Sequence, residues 1–136
     1  MALVYLDSSA IVKLVVREPE SDALFAELSS WRERVSSALA RVEVLRALKR
    51  ADATAAGRRR AEAVLARTAL LRIDGPILRD AARVEPPMLR TLDAIHLASA
   101  LSIGADLDAL VTYDPRLASA ATRARLQVLS PGRRSS

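Results

Sequence analysis

Four acidic residues of this sequence are placed so that together they could bind a metal ion: Asp7, Glu43, Asp93 and Asp114. Asp7 and Asp114 each follow an apolar run that is typical of a strand, while Glu43 and Asp93 lie in the first two turns of helical patterns. In an open parallel sheet, ligands bind at the carboxyl ends of the strands. We therefore expect the four carboxylates to face one crevice.

A cluster of carboxylates needs a counterion. Two carboxylates about 4 Å apart repel by roughly 4 kcal/mol at an effective dielectric constant near 20, so the cluster must hold a proton or a cation. The chain has no Cys and one His, and ligands that are all oxygen atoms favour Mg²⁺ or Mn²⁺ over Zn²⁺. Such an ion activates water and neutralises the charge of a phosphate. The cluster therefore predicts hydrolysis of phosphodiester bonds.

Each of these acids also has a simpler interpretation when it is taken alone. Asp7 and Asp114 precede helical patterns and could cap them, and Asp93 could be a first-turn acid that the helix dipole favours. Glu43 could pair with Arg46, three residues further along the same helix. Capping is compatible with metal binding, so these interpretations stay open beside the metal site.

The elements that must position the acids alternate along the chain. Helical patterns separate short β-type runs, and Pro19, Pro76 and Pro115 mark helix starts. Strands that alternate with helices predict crossovers and a largely parallel sheet. The fold class is therefore α/β, an αβα sandwich around a parallel sheet of four to five strands. The β-type runs are residues 3–6, 34–37, 70–73, 109–113 and 126–130.

The length and charge of the chain limit the kind of partner. Its 136 residues suit one domain, which we place at residues 1–130, with a mobile tail at 131–136. The chain has 21 Lys and Arg against 16 Asp and Glu, and all but two of the basic residues are Arg, which matches phosphate groups well. Few aromatic residues are present to stack on bases. We expect a nucleic acid, if one binds, to be held through its backbone.

The expected compartment is the cytoplasm. The chain lacks Cys, so a disulfide framework is not indicated. No apolar run approaches the roughly 20 residues that cross a bilayer, and the first residues lack the pattern of a signal peptide.

Three further features have both a functional and a structural interpretation. His96 lies three residues after Asp93, but its apolar flanks predict a packed His that is bonded to the backbone, so we exclude it from the metal site. Trp31 either covers the core or contacts a partner. The arginines at 58–60 are expected to form a solvated face rather than an RNA grip.

The chain resembles the PIN-domain ribonucleases, specifically the VapC-type toxins of bacterial toxin–antitoxin pairs. The resemblance extends from about residue 3 to residue 130. One of its motifs alone would be weak, but four acids in order and in the expected context form a strong signal. The matching stretches are "YLDSSAIVKL", "RVEVLRAL", "LRTLDAIHLASAL" and "LVTYDPRLASAA".

This resemblance implies a set of site residues. The acidic metal site consists of the four acids named above, which are also the catalytic residues, with Ser9 and Thr112 as supporting polar groups. Asp106 and Asp108 are alternatives to Asp114 as the fourth acid. Arg116 either touches a substrate phosphate or remains a solvated capping residue, and we prefer the second interpretation.

The resemblance also implies an activity and partners. The protein would be an endoribonuclease that requires Mg²⁺ or Mn²⁺ and acts as the toxin of a type II toxin–antitoxin system. It would form a homodimer and a hetero-oligomer with a VapB-type antitoxin, which would block or distort the site.

Other classes fit less well. A phosphotransfer receiver domain needs a pair of early acids, and a haloacid-dehalogenase-like phosphatase needs an Asp two residues after the first acid, where this chain has Ser9. The remaining alternative is a non-catalytic basic module that binds RNA or a partner and whose acids are only caps. That alternative predicts that neutralising Asp93 leaves function intact.

Overall fold

The computed structural model describes residues 2–133, which form a five-stranded parallel sheet covered by helices on both faces. The strands are β1 (Leu3–Leu6), β2 (Glu33–Ser37), β3 (Ala69–Leu71), β4 (Ala109–Val111) and β5 (Val128–Leu129). The helices are α1 (Ser8–Val15), α2 (Ser21–Leu28), α3 (Leu39–Arg50), α4 (Ala55–Ala66), α5 (Gly75–Ala81), α6 (Thr91–Ile103) and α7 (Pro115–Arg123).

The order of the strands places a topological switch point at the centre of the sheet. The order is β3-β2-β1-β4-β5, and every neighbouring pair is parallel. The chain leaves β1 towards β2 and β3 on one side, and it later returns to β4 on the other side. Ligands of open α/β sheets bind at such a point, outside the carboxyl ends of the strands.

Two apolar cores hold the helices against the sheet. Side chains of a strand alternate between its faces, so Val4 and Leu6 pack into the core under α1–α4, whereas Tyr5 packs into the core under α6 and α7. All three side chains are fully buried. The predicted αβα sandwich and its parallel sheet are confirmed.

The strand and helix boundaries differ from prediction by a few residues. β4 and β5 are shorter than the predicted runs, and β5, at the edge of the sheet, has only two residues. Pro19 does not open α2, which begins at Ser21. Residues 18–20 instead form a turn, in which Ser21 Oγ accepts a hydrogen bond from the Glu18 amide at 2.9 Å.

The first residues after β5 lie against the body of the protein. Tyr113 Oη donates to the Pro131 carbonyl at 2.8 Å, and Gly132 has a φ of +83°, where a Cβ would lie 2.9 Å from Ala23 Cβ. Residues 134–136 of the predicted tail lie outside the described residues. The domain boundary at residue 130 and the mobility of the tail stay predictions.

Among the helices of residues 2–133, none has the length and apolar composition needed to span a membrane.

Candidate active site

An open crevice of about 490 Å³ lies at the carboxyl ends of β1 and β4, at the topological switch point. The fold brings the four predicted acids to this crevice from four separate segments of the chain. Helices α1, α3 and α6 provide the surrounding walls. The crevice is lined by Asp7, Ser9, Glu43, Asp93 and Asp114, together with the arginines Arg46, Arg50 and Arg90.

Asp7 is the most deeply placed of the acids, with 3% of its surface exposed. It caps α1, since its Oδ1 accepts from the Ala10 amide at 3.0 Å, and the capping role predicted for it is therefore real. The same carboxylate also accepts from the Ser9 hydroxyl at 2.7 Å and from the Thr112 hydroxyl at 2.5 Å. Burial raises the pKa of Asp7, and the nearby His96 ring and these hydrogen bonds oppose that rise.

Two hydroxyl groups connect the end of β1 to the end of β4. Thr112 Oγ1 donates to Asp7 and accepts from the Asp114 amide at 3.0 Å. Ser9 Oγ donates to Asp7 and accepts from the Tyr113 amide at 3.0 Å. Each hydroxyl uses both its donor and an acceptor position, so the Asp7 carboxylate is held in one orientation.

Asp93 and Asp114 share one cation, the Arg90 guanidinium. Arg90 Nε donates to Asp93 Oδ2 at 3.0 Å, and its Nη2 donates to Asp114 Oδ2 at 2.6 Å. Asp93 lies in the first turn of α6, while Asp114 caps α7 by accepting from the Arg116 amide at 2.8 Å. Burial and the charge of Asp114 raise the pKa of Asp93, and Arg90 opposes both effects.

Glu43 is held by the one histidine of the chain. His96 Nε2 is 2.6 Å from Glu43 Oε1, and His96 Nδ1 is 2.8 Å from the Tyr5 hydroxyl. The prediction that His96 bonds to the backbone was wrong, because its ring is buried between two polar side chains that occupy both nitrogens. Glu43 pairs with His96 and not with Arg46. Sequence spacing could not indicate this pair, since the partners lie 53 residues apart.

The two alternatives for the fourth acid lie away from the crevice. Asp108 Oδ2 accepts from the amides of Ala2 and Leu3, each at 3.1 Å, at the amino end of β1. These backbone hydrogen bonds lower the pKa of Asp108. Asp106 belongs to a short 3₁₀ turn that precedes β4. Asp114 is therefore the acid of the three that reaches the crevice.

Other residues named from the sequence have structural surroundings. The exposed Arg116 side chain lines a separate groove beside Pro86 and Met88. Trp31 is buried in the core and donates from Nε1 to Glu27 at 2.9 Å.

In the 58–60 run, two of the three arginines bond to the backbone. Arg58 donates to the Ala53 carbonyl, and Arg60 donates to the Val15 carbonyl. The run is exposed to solvent, as the sequence predicts for a solvated face.

Carboxylate oxygens are the ligands that a hard divalent cation prefers. In their present positions, however, these carboxylates do not surround a common point at which such an ion could bind. Among residues 2–133, no three acidic or His side chains lie close enough together to share a metal ion. The reason is that Glu43 points to His96, while Asp93 and Asp114 point to Arg90. The cation already held between Asp93 and Asp114 shows that this position favours positive charge. An ion that binds the Asp93 and Asp114 oxygens now bonded to Arg90 would displace its guanidinium.

Sequence comparison places the chain beside a set of bacterial ribonucleases. The family described as the PIN domain matches residues 4–123. The chain is 55% identical over 133 residues to Ribonuclease VapC46 of Mycobacterium tuberculosis, an alignment that covers 96% of this chain and 99% of that protein. It is 45% identical over 134 residues to Ribonuclease VapC35 of the same species, with 96% and 98% covered.

Solved structures share the fold at low sequence identity. The crystal structure of Mycobacterium tuberculosis VapC20, described as a toxin that cleaves the sarcin–ricin loop, has a TM-score of 0.71 at 15% identity and covers 86% of this chain and 94% of that chain. VapBC2 from Rickettsia felis, bound to a DNA fragment from its promoter, has a TM-score of 0.69 at 14% identity, with 93% and 97% covered. At these identities the likeness concerns the fold.

Proposed function

The chain belongs to the PIN-domain family, among its VapC ribonucleases, and from that premise we propose that it is the toxin of a toxin–antitoxin pair and hydrolyses RNA phosphodiester bonds at the acidic crevice. The observation that carries the proposal is the convergence of Asp7, Glu43, Asp93 and Asp114 on one crevice at the switch point of the sheet. Capping does not explain the place of Glu43, which lies within α3 and caps no helix.

We propose that Mg²⁺ or Mn²⁺ is held by Asp7, Asp93 and Asp114, with Glu43 at its edge. When bound, the ion supplies a more acidic water molecule and neutralises charge on the phosphate. Ser9 and Thr112 keep the Asp7 carboxylate fixed. This fixed orientation matters because even small displacements of catalytic groups reduce rates.

Glu43 has a second role as a general base. His96 holds its Oε1, which leaves Oε2 free to accept the proton of the attacking water. A carboxylate positioned within hydrogen-bond reach of the water can serve this function.

The experiment that tests the proposal is cleavage of a defined single-stranded RNA, and of pooled cellular RNA, by the purified antitoxin-free protein. Cleavage is expected with Mg²⁺ or Mn²⁺ and is expected to stop when a chelator is added. The pooled RNA is included so that cleavage is detected even if the protein accepts only a few RNA sequences. If folded protein with either metal leaves both RNA samples intact, the nuclease proposal fails and the non-catalytic binding module replaces it.

The arginines of the crevice are proposed to bind the RNA backbone. Arg46 and Arg50 lie on the same helix as Glu43, line the crevice and are exposed. Neither forms a salt bridge with another residue of the range 2–133. Arginine forms two parallel hydrogen bonds to a phosphate group, so this face of α3 suits a chain of phosphates.

We expect Arg46→Ala and Arg50→Ala to weaken RNA binding and to reduce its dependence on salt. Each phosphate contact that is lost should lower the slope of log Kd against log salt by about 0.7, the value for single-stranded nucleic acid. Binding is measured in chelator, so that cleavage does not interfere. Arg123→Ala, an exposed arginine at the end of α7, is the control. An unchanged slope in both crevice variants would place the RNA elsewhere.

The proposal extends to partners and location. Solved structures with this fold include a toxin–antitoxin complex from Klebsiella pneumoniae, at a TM-score of 0.65 and 20% identity over 82% of this chain. We propose that a VapB-type antitoxin binds this chain and blocks its crevice, that the toxin forms a homodimer, and that it acts in the cytoplasm, where its RNA substrate is found.

A further inference from the structure

Arg90 stands between the two acids at the mouth of the crevice. It precedes the first residue of α6, and its guanidinium spans the gap from Asp93 to Asp114 with one nitrogen on each carboxylate, at 3.0 and 2.6 Å. Its side chain is 61% exposed, whereas those of Asp93 and Asp114 are 11% and 18% exposed. The arginine therefore reaches inward from solvent and covers two largely buried carboxylates.

This contact is the only Lys or Arg salt bridge to the crevice acids in the range 2–133. Asp7 is satisfied by hydroxyl and amide donors, and Glu43 is paired with His96. Arg46 and Arg50 line the same crevice but make no salt bridge there. The charge of Arg90 therefore offsets the repulsion between Asp93 and Asp114, and no other Lys or Arg of the range 2–133 forms a salt bridge with either acid.

The contact is suited to exchange. The Arg90 side chain is mostly exposed, so water partly screens its charge, and this long side chain loses freedom when it is held in the contact. A divalent ion brings twice the charge to the same carboxylates. Once released, the Arg90 guanidinium remains at the mouth of the crevice, next to Arg46 and Arg50, where a planar fork of donors matches a phosphate group.

We propose that Arg90 is an exchangeable counterion: it holds Asp93 and Asp114 in the metal-free protein, yields them to the divalent ion, and then binds an RNA phosphate at the mouth of the crevice. This inference rests on the proposed metal-dependent nuclease function. Arg90 then has two opposite effects. It competes with the metal ion for Asp93 and Asp114, and it attracts the RNA substrate.

The test compares the wild type with Arg90→Gln and Arg90→Lys. Titration calorimetry with Mn²⁺ alone, without RNA, is expected to show about ten-fold tighter binding to Arg90→Gln, because the competing cation is gone. Arg90→Lys keeps the charge but lacks the planar fork of the guanidinium, so an intermediate affinity is expected. Arg83→Gln, which removes an exposed charge outside the crevice, is the control and should bind Mn²⁺ like the wild type.

The second readout is the KM for RNA at saturating Mn²⁺. Arg90→Gln is expected to raise KM about ten-fold with little change in kcat, since the lost contact is to a phosphate and not to the reacting atoms. Unchanged or weaker Mn²⁺ binding by Arg90→Gln would overturn the exchange. Tighter Mn²⁺ binding with an unchanged KM would overturn the phosphate contact.

The same data separate this inference from the proposed function. If the wild type neither binds Mn²⁺ nor cuts RNA, the nuclease function itself fails. If the wild type does both and Arg90→Gln matches it in both measurements, only the role of Arg90 fails. Thermal unfolding in chelator checks that each variant is folded before either titration.

Discussion

The Asp7→Asn protein is expected to lose more than about 100-fold of its RNA cleavage rate while remaining folded. Changing even an outer-shell partner of a metal ligand costs about 10- to 100-fold in affinity or activity, and Asp7 is proposed as a ligand itself. Asparagine keeps the shape of the side chain and can still accept from the Ala10 amide, as Asp7 does. The measurement is the single-turnover rate on a defined RNA with Mg²⁺ and with Mn²⁺, and Asp93→Asn is expected to behave in the same way.

The stability of Asp7→Asn is expected to change in the opposite direction from its activity. Because burial raises the pKa of Asp7, ionising this carboxyl in the metal-free protein reduces stability as the pH rises through that pKa. Asparagine has no charge to bury. Its Tm in chelator should therefore exceed that of the wild type at neutral pH, by about 3 °C for each kcal/mol gained.

The pH dependence of the difference in Tm between Asp7→Asn and the wild type shows whether the buried charge of Asp7 causes that difference. Below the ordinary Asp pKa of 3.8, the carboxyl is protonated in both the folded and the unfolded wild type, so the advantage of Asn should vanish there. A gain in stability with a loss of cleavage is typical of a residue kept for function. If Asp7→Asn instead lowers the Tm and cuts RNA at the wild-type rate, Asp7 is only the cap of α1.

The acids and the sheet could be predicted because their signals are local. Asp7 and Asp114 follow apolar strand runs directly, and parallel strands bring their carboxyl ends to one edge whatever the details of packing. The helical positions of Glu43 and Asp93 then bring them to the same edge. Ser9 is near Asp7 because it lies only two positions further along the chain.

The partners of these acids could not be predicted because they depend on which helices meet. Arg90 reaches Asp114 across 24 residues of sequence, and His96 reaches Glu43 across 53. Periodicity shows which face of α3 or α6 is buried, but not that Glu43 and His96 meet although α3 and α6 pack into different cores. The apolar flanks of His96 correctly indicated burial and could not reveal that two polar side chains were buried with it.

The chain of hydrogen bonds from Tyr5 through His96 to Glu43 leads to the second large effect. Burial and the charge of Asp7 raise the pKa of Tyr5, so its hydroxyl stays protonated and can donate to Nδ1, while Nε2–H donates to Glu43. His96→Leu removes both bonds and so takes one partner from the buried Tyr5 hydroxyl and one from the Glu43 carboxylate. We expect a loss of about 2–4 kcal/mol in the free energy of unfolding, measured by urea denaturation. Tyr5→Phe, which breaks one bond only, should lose about 1 kcal/mol.

Cleavage by His96→Leu distinguishes positioning from simple destabilisation. With Glu43 no longer held, we expect the Mn²⁺ concentration for half-maximal cleavage to rise about ten-fold, with part of the rate restored at high Mn²⁺. Leu65→Ala is the matched control, because Leu65 is buried in the core under α1–α4 and lines no part of the crevice. It should lower stability by a similar amount and leave the Mn²⁺ requirement unchanged. An equal shift in both variants would mean that His96 affects cleavage only through the stability of the fold.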